Sequence, residues 1–363
     1  MKRILIFLGH PAHFHLFRYL IPKLQREGHT VKVLIRSKDI LEELCKREGL
    51  EFVNVQPTYR KKGVISFALS FLQKYVRIGS LIRSFKPDML LGSEPTLAHL
   101  GKVFRIPSFI FSEDDVHVIP QFAKVAYPFV SAIVSPETCD AGKWSHKKIG
   151  YAGFHKLAYL HPSVFTPDKS LLGEMTNRPY FILRLAELSA YHDDNRKGIT
   201  AEVARQLIDL LQPHGDIYIT SERALEPEFE MYRMKLPVQH IHHAMYFAQA
   251  YIGDSQSMAV EAALLGTPGI RFNDFTGEIG VLNELENRYA LTTSISTKEP
   301  QRLLDKVKEF LSQPDLKEQY GVRRSRLLNE KINVPAFFIW LITHYPSSAH
   351  ELKKNPNIQH TFR

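Results

Sequence analysis

The sequence predicts an α/β protein of two Rossmann-like domains facing across a cleft. Three observations carry that expectation. Short apolar runs alternate with amphipathic stretches along the chain, the pattern of parallel strands joined by crossover helices. The alternation stops over residues 150–167, GYAGFHKLAYLHPSVFTP, a stretch rich in Gly, Pro and aromatics without a period, and then restarts. At 363 residues and 44% apolar content the chain exceeds one ordinary small domain and suits two.

In the first half, apolar runs place strands at 3–8, 30–36, 51–55, 88–92, 108–111 and 132–135. A helix over 13–27 follows the first strand and stops at Gly28, a usual residue just past a helix end. Lys86-Pro87-Asp88 ends another helix before the fourth strand. Residues 150–167 read as the interdomain connection. The second half gives strands at 180–184, 216–220, 238–240, 250–252 and 268–272. The expected organisation is a first domain over 1–158, a nucleotide-sugar-binding domain over 159–334, a helix over 335–345 crossing back to the first domain, and a loosely held polar tail over 346–363.

Composition narrows the function classes. The chain carries a formal charge of +9, unevenly spread: residues 1–160 hold 24 Lys and Arg against 13 Asp and Glu, the remainder 23 against 25. The excess positive charge in the first half favours an anionic partner, a membrane surface or a phosphorylated acceptor; a basic solvated face is the plain alternative. Nucleic acid is disfavoured because no named recognition module is present. Cys45 and Cys139 are the only cysteines, so no disulfide framework is implied and a reducing cytoplasm is expected. The start, MKRILIFLGHPAH, lacks the length and cleavage site of a signal peptide, and no run of about 20 apolar residues predicts a membrane span.

The most informative segment is AYIGDSQSMAVEAALLGTPGIRFN, residues 250–273. It reads as a strand, a polar turn (Gly253 to Ser257), a helix carrying Glu261, and a second strand ending near Asn273. A polar turn into a helix presents free backbone N–H groups and the positive helix end, which suits a diphosphate bound by Ser255, Gln256 and Ser257. A carboxylate six residues past the serine, Glu261, is placed to accept from a ribose. A plain helix cap by Asp254 or Ser255, with an ordinary surface Glu, is the alternative.

Other constellations lie at strand ends. GHPAHFHLF brings His10, His13 and His15 into the first strand-to-helix loop, where His13 could meet a phosphate or an acceptor hydroxyl; polar helix caps are the alternative. Glu94 follows the fourth strand, and Glu113-Asp114-Asp115 with His117 follows the fifth. Carboxylates on neighbouring strand ends can divide acid and base roles, which favours Glu94 and Asp114 as functional and leaves Asp115 in a solvated loop. Arg184 leaves another strand and could clamp a diphosphate or form a structural ion pair, and His192 follows in Tyr191-His192-Asp193-Asp194. Neither the first histidine group nor His240, His242 and His243 has a carboxylate or thiolate at ligand spacing, so no metal site is expected. GxGxxG and P-loop fingerprints are absent. Residues 60–85, basic and aromatic-rich, read first as a crossover helix with a broad buried face, and otherwise as an interfacial helix on anionic lipid.

The stretches IGYAGFHKLAYLHPSVFTPD, FILRLAELSAYHD and IGDSQSMAVEAALLGTPGIRFN resemble an uncharacterised, largely prokaryotic family with the glycosyltransferase-B fold, over nearly the whole chain. More distantly, the second half is similar to the non-hydrolysing UDP-N-acetylglucosamine 2-epimerases and to the N-acetylglucosaminyltransferase that completes the lipid-linked peptidoglycan precursor. The epimerase resemblance implies diphosphate binding at Ser255 and ribose binding at Glu261. Gln256 and Ser257 stand where the epimerases have a glycine pair. The resemblance further implies acids after two strands of the first domain, Glu94 with Glu113 or Asp114. The expectation is a metal-independent enzyme, without cofactor, that transfers a sugar from a nucleotide-sugar, UDP-linked, to an acceptor in cell-surface glycan synthesis. The acceptor is expected to be lipid-linked or anionic, at the inner membrane face. In this scheme His13, Glu94, Asp114 and His192 are catalytic, and Arg184, Ser255, Gln256, Ser257, Glu261 and Asn273 hold the donor. A sugar-nucleotide 2-epimerase and a non-catalytic nucleotide-sugar-binding protein are the alternatives.

Overall fold

A computed structural model describes residues 1–37, 40–56, 64–186, 198–274 and 277–363, with the backbone alone for 64–69 and 71. The chain divides into two compact units, Met1–Val164 with Ile332–Arg363, and Phe165–Lys331. Each is built on a wholly parallel sheet, and each is a Rossmann-like domain.

The first sheet contains β1 (Arg3–Leu8), β2 (Thr30–Arg36), β3 (Val53–Gln56), β4 (Met89–Gly92), β5 (Ser108–Phe111), β6 (Ala132–Pro136) and β7 (Lys148–Tyr151). Their order is β3-β2-β1-β4-β5-β6-β7, so the direction of winding reverses between β1 and β4. The second sheet contains β8 (Tyr180–Leu185), β9 (Asp216–Ser221), β10 (Ala250–Gly253), β11 (Gly269–Phe272) and β12 (Thr293–Ile295). Its order, β12-β11-β10-β8-β9, reverses between β8 and β10. In open parallel sheets the loops leaving the strands diverge at such a reversal and open a ligand crevice at the carboxyl ends.

Strands such as β1, β4, β5, β6 and β10 are buried along all or nearly all their length, as sheets covered by helices on both faces require. One face of the first sheet buries Leu5, Phe7 and Leu90 against Ile78 and Ile82 of the helix Val64–Phe85 and Leu97 of the helix Pro95–Phe104. That helix is therefore a crossover helix with a buried face. Elsewhere in the same unit Phe111 packs edge-on against Phe17 at 5.2 Å and Phe338 at 5.1 Å. Phe338 belongs to the helix Val334–Thr343, which packs on the helices Leu20–Arg26 and Leu157–Leu160.

Four expectations need correction. Residues 238–240 form a 3-10 turn leading into the helix Ile241–Phe247, because three residues preceded by Pro237 find no ladder partner. The first crossover helix is two, Pro11–Phe17 and Leu20–Arg26. The stretch read as a connection contains the end of β7 and an almost wholly buried run from Tyr151 to Leu160; its aromatics fill the core of the first unit. The tail is held: Gln359 is buried, accepts from Ala152 N at 2.6 Å and donates to Glu137 Oε1 at 2.7 Å. Among the described residues no helix is long and apolar enough to cross a membrane.

Gly92 closes β4 with φ at 152°, and a Cβ there would sit 2.6 Å from the carbonyl oxygen of Phe7. Gly28 also has positive φ, but a Cβ there would meet nothing within 4 Å. Chemical denaturation should therefore separate the two: Gly28→Ala costs about 1 kcal/mol, whereas Gly92→Ala, adding a backbone clash to conformational strain, costs roughly 2–3 kcal/mol.

Candidate functional site

The reversal in the second sheet is flanked by the two segments that sequence reasoning singled out. Arg184 lies near the end of β8, opposite Gly253 at the end of β10. The turn after β10 is built on a buried carboxylate. Asp254 Oδ1 accepts from Ala186 N at 2.7 Å and Oδ2 accepts from Ile199 N at 3.1 Å. A Cβ at residue 198 would lie 2.3 Å from Oδ2, so Gly198 is what lets the chain come this close. Burial pushes the Asp254 carboxyl up to about 6, against the pull of these donors and of Arg223.

Ser255 caps the helix Gln256–Leu265, its Oγ accepting from Met258 N at 3.4 Å. The amides of Gln256 and Ser257, in the first turn, have no acceptor within the helix. Both side chains reach the surface, Ser257 the more exposed. From Met258 to Leu265 the helix is buried. Glu261 is therefore not an ordinary surface residue: it is 8% exposed, with Oε1 3.3 Å from Nε2 of buried His242. His242 stands on the helix Ile241–Phe247 and meets the edge of Phe165, while neighbouring His243 accepts from Asp168 N at 2.9 Å.

Two expected donor ligands serve the architecture of the site. Asn273 is fully buried and donates from Nδ2 to the Asp254 carbonyl at 2.9 Å, tying the end of β11 to the turn. Arg184 pairs with Glu222 and donates to Thr220 Oγ1 at 3.3 Å. Its guanidinium thus spans to β9, and a diphosphate would compete with Glu222 for it. His192 lies outside the described residues.

The reversal in the first sheet is flanked by the loop after β1 and the loop after β4. His13 Nδ1 accepts from Gly9 N at 3.1 Å. A neutral ring accepting at Nδ1 carries its proton on Nε2, so His13 presents a donor there, and the expected role as a base requires the other tautomer. Glu94 is buried at the start of the helix Pro95–Phe104; its Oε1 meets Lys74 Nζ at 2.5 Å and accepts from Thr96 Oγ1 at 3.1 Å. After β5 the acids divide differently from expectation. Asp114 is exposed, whereas Asp115 is buried and accepts from Asp140 N at 2.6 Å, so Asp115 is a loop staple and not a solvated residue. Glu113 pairs with buried Lys156, and its carbonyl accepts from Cys139 Sγ at 3.0 Å. Beside this pair His155 is buried, hydrogen bonded to Tyr151 Oη at 3.1 Å, and pushed down by burial to about 4, so it is neutral at pH 7.

Sequence reasoning missed Lys74, His155, Lys156 and the role of His242. Lys74 had a signal, a lone cation within an apolar helical stripe, but its partner sits 20 residues away. Lys156 and His155 had none, because the stretch that holds them shows no period.

Residues 2–281 match the profile of a family described as a protein of unknown function (DUF354). No curated protein sequence matches the chain. Solved structures similar to it include S. aureus MnaA in a co-structure with UDP, with a TM-score of 0.67, 14% identity and coverage of 96% of this chain and 98% of that one. The UDP-GlcNAc 2-epimerase from Neisseria meningitidis bound to UDP-GlcNAc gives 0.63, 14%, 91% and 99%. The spinosyn rhamnosyltransferase SpnG complexed with spinosyn aglycone gives 0.58, 13%, 94% and 99%. At such identities the likeness is one of fold, the two-domain glycosyltransferase-B architecture.

The raised Asp254 pKa fixes a sign. The folded state holds this proton more tightly than the unfolded chain, whose reference is 3.8. The stability it contributes is full below that reference and is lost as pH rises through about 6. In thermal melts across this range, the wild type's advantage over Asp254→Asn should therefore shrink with rising pH, by roughly 2–3 kcal/mol in all.

Proposed function

The chain belongs to DUF354, a family of unknown function, and from that premise we propose that it is a metal-independent nucleotide-sugar enzyme of the glycosyltransferase-B type. It transfers the sugar of a UDP-linked donor to an acceptor hydroxyl. The observation that carries this reading is the placement of a capped, amide-presenting helix start and a buried, histidine-held carboxylate beside the winding reversal of the second sheet. A diphosphate suits the first, since the helix end is positive and the amides of Gln256 and Ser257 are available. A ribose suits the second: Glu261 offers fixed acceptor oxygens, with His242 setting their orientation. Asp254 and Asn273 hold the turn rigid, which matters because a diphosphate leaving group is stabilised best by donors already in place.

In the transfer, the acceptor oxygen bonds to the anomeric carbon as the bond to the diphosphate oxygen breaks. UDP leaves with that electron pair, and the acceptor proton passes to a base. Glu94 is the base we favour in the first unit: Lys74 and Thr96 engage Oε1 and leave Oε2 to receive the proton. His13 stands in the loop after β1, where its Nδ1 is held by Gly9 N, and is the second residue we place near the acceptor. Exposed Asp114 has no part in this scheme.

A second reading, a sugar-nucleotide 2-epimerase, is favoured by the likeness to the Neisseria enzyme and by the acids Glu94, buried, and Glu113, half-buried, after adjacent strands. Both readings use the same donor site and differ in whether an acceptor is needed.

Calorimetric titration with UDP should show binding that Glu261→Gln weakens about tenfold, the worth of one hydrogen bond to a charged group. A wild-type protein that ignores UDP would overturn both readings. Proton NMR of the protein with UDP-N-acetylglucosamine and no acceptor then divides them: an unchanged donor is expected for transfer, and a second anomeric signal establishes the epimerase.

A further inference from the structure

The helices Val64–Phe85, Pro95–Phe104 and Pro120–Ala126 connect β3 to β4, β4 to β5 and β5 to β6, and lie side by side on one face of the first sheet. His99 joins them. Its ring stacks on Tyr75 of the first helix at 5.9 Å, meets Phe129, just past the third, edge-on at 4.7 Å, and its Nε2 is 2.8 Å from the carbonyl of Val125. The outer side of this layer carries large apolar side chains among its exposed polar ones. Leu72 and Val76, one turn apart on the first helix, are 60% and 63% exposed, and Val103, one turn beyond His99, is 72% exposed. Val125 and Phe129 continue the patch. Phe129 is held outward by Lys147, whose Nζ bonds the carbonyls of Tyr127, Pro128 and Val130 at 3.0, 2.6 and 3.1 Å.

Charge on the same layer has one sign. Residues 64–87, 95–112 and 116–136 contain no Asp or Glu. They supply exposed Arg77, Arg83, Lys86, Lys102, Arg105 and Lys124. Helices of ordinary solvated faces mix both signs, as the helix Pro300–Leu311 of the second unit does with its Arg302–Glu299 and Lys306–Glu309 pairs.

We infer that this three-helix face is a docking surface for an anionic lipid bilayer. Aliphatic and aromatic side chains gain by entering the boundary between headgroups and acyl chains, and cations around them are drawn to the negative surface. A second copy of the chain fits poorly, since a two-fold contact through this face would set the cation field against itself. Nucleic acid would meet the cations but gives exposed Leu72, Val76 and Val103 nothing to bury against. The inference stands on this face alone and does not depend on which reaction the donor site serves.

The test is co-flotation of the full chain with vesicles of phosphatidylcholine alone, or with roughly 30 mol% phosphatidylglycerol, the anionic surface that basic segments recognise. The chain should float with the anionic vesicles and not with the neutral ones. Each cation contributes about fivefold to such partitioning, so Lys102→Gln with Lys124→Gln should lower it roughly 25-fold. Leu72→Ser with Val103→Ser should weaken it further, and salt near 0.5 M, at a Debye length of about 4 Å, should release the protein. All four positions are exposed, and unchanged circular dichroism and melting would show that the variants fold. Equal partitioning to both vesicles, or a charge variant that binds as the wild type does, overturns the inference. So does a dimer in solution that Val76→Glu dissociates, or duplex DNA that binds as tightly as the anionic vesicles and displaces them.

Discussion

Every strand of both sheets runs parallel to its neighbours, and from this constraint the rest of the molecule follows. A parallel strand must hand the chain to a crossover at the same edge as every other strand, so each unit collects its strand-to-helix turns on one side. Where the winding reverses, the crossovers leave in opposite directions and the turns on either side stand open. In the second sheet that point lies between β8 and β10. The chain fixes it with one buried carboxylate, Asp254, which reaches backbone amides at Ala186 and Ile199 while its own carbonyl is taken by Asn273. Three separate stretches of sequence meet there, and the helix start at Ser255 inherits a single position.

The first unit uses ion pairs, one buried and one partly so, for a similar end. Glu94 with Lys74, and Glu113 with Lys156, put opposite charges together at the ends of adjacent strands. Pairs of this kind add little net stability, because removing both ions from water offsets most of their attraction, but losing one partner strands the other at about 3–5 kcal/mol. Their effect is to fix a carboxylate in place. His155, neutral between Tyr151 and the Glu113 pair, brings no further charge to the cluster.

The same helices face two ways. On the helix Val64–Phe85, Lys74 turns inward to Glu94 while Leu72 and Val76 are exposed. On the next helix Thr96 bonds Glu94 at one end, and Lys102 and Val103 are exposed at the other. Whatever binds the outer layer therefore bears on the elements that hold the Glu94 carboxylate, with His99 packed between them.

The sequence by itself determined the alternation of strand and helix, the two Rossmann-like domains, and the turn at Ser255 with Glu261 on the helix behind it. All of these are written in local periodicity and in capping residues that act within a few positions. Tertiary structure alone decided which residues would be neighbours. The run from Tyr151 to Leu160 has no period because it is buried on all sides, so it read as a connection and proved to be core. The tail read as loose from its polarity, yet one side chain, Gln359, ties it to Ala152 across 207 residues. Asp114 and Asp115 are chemically alike, yet Asp115 is buried and accepts from Asp140 N while Asp114 is exposed. Lys74, His242 and Lys156 acquired their meaning from partners 20, 19 and 43 residues away. Local sequence fixes what each segment is, because backbone hydrogen bonds and capping are short-range. Which buried charge meets which is set by the packing of parallel strands, where distance along the chain no longer counts.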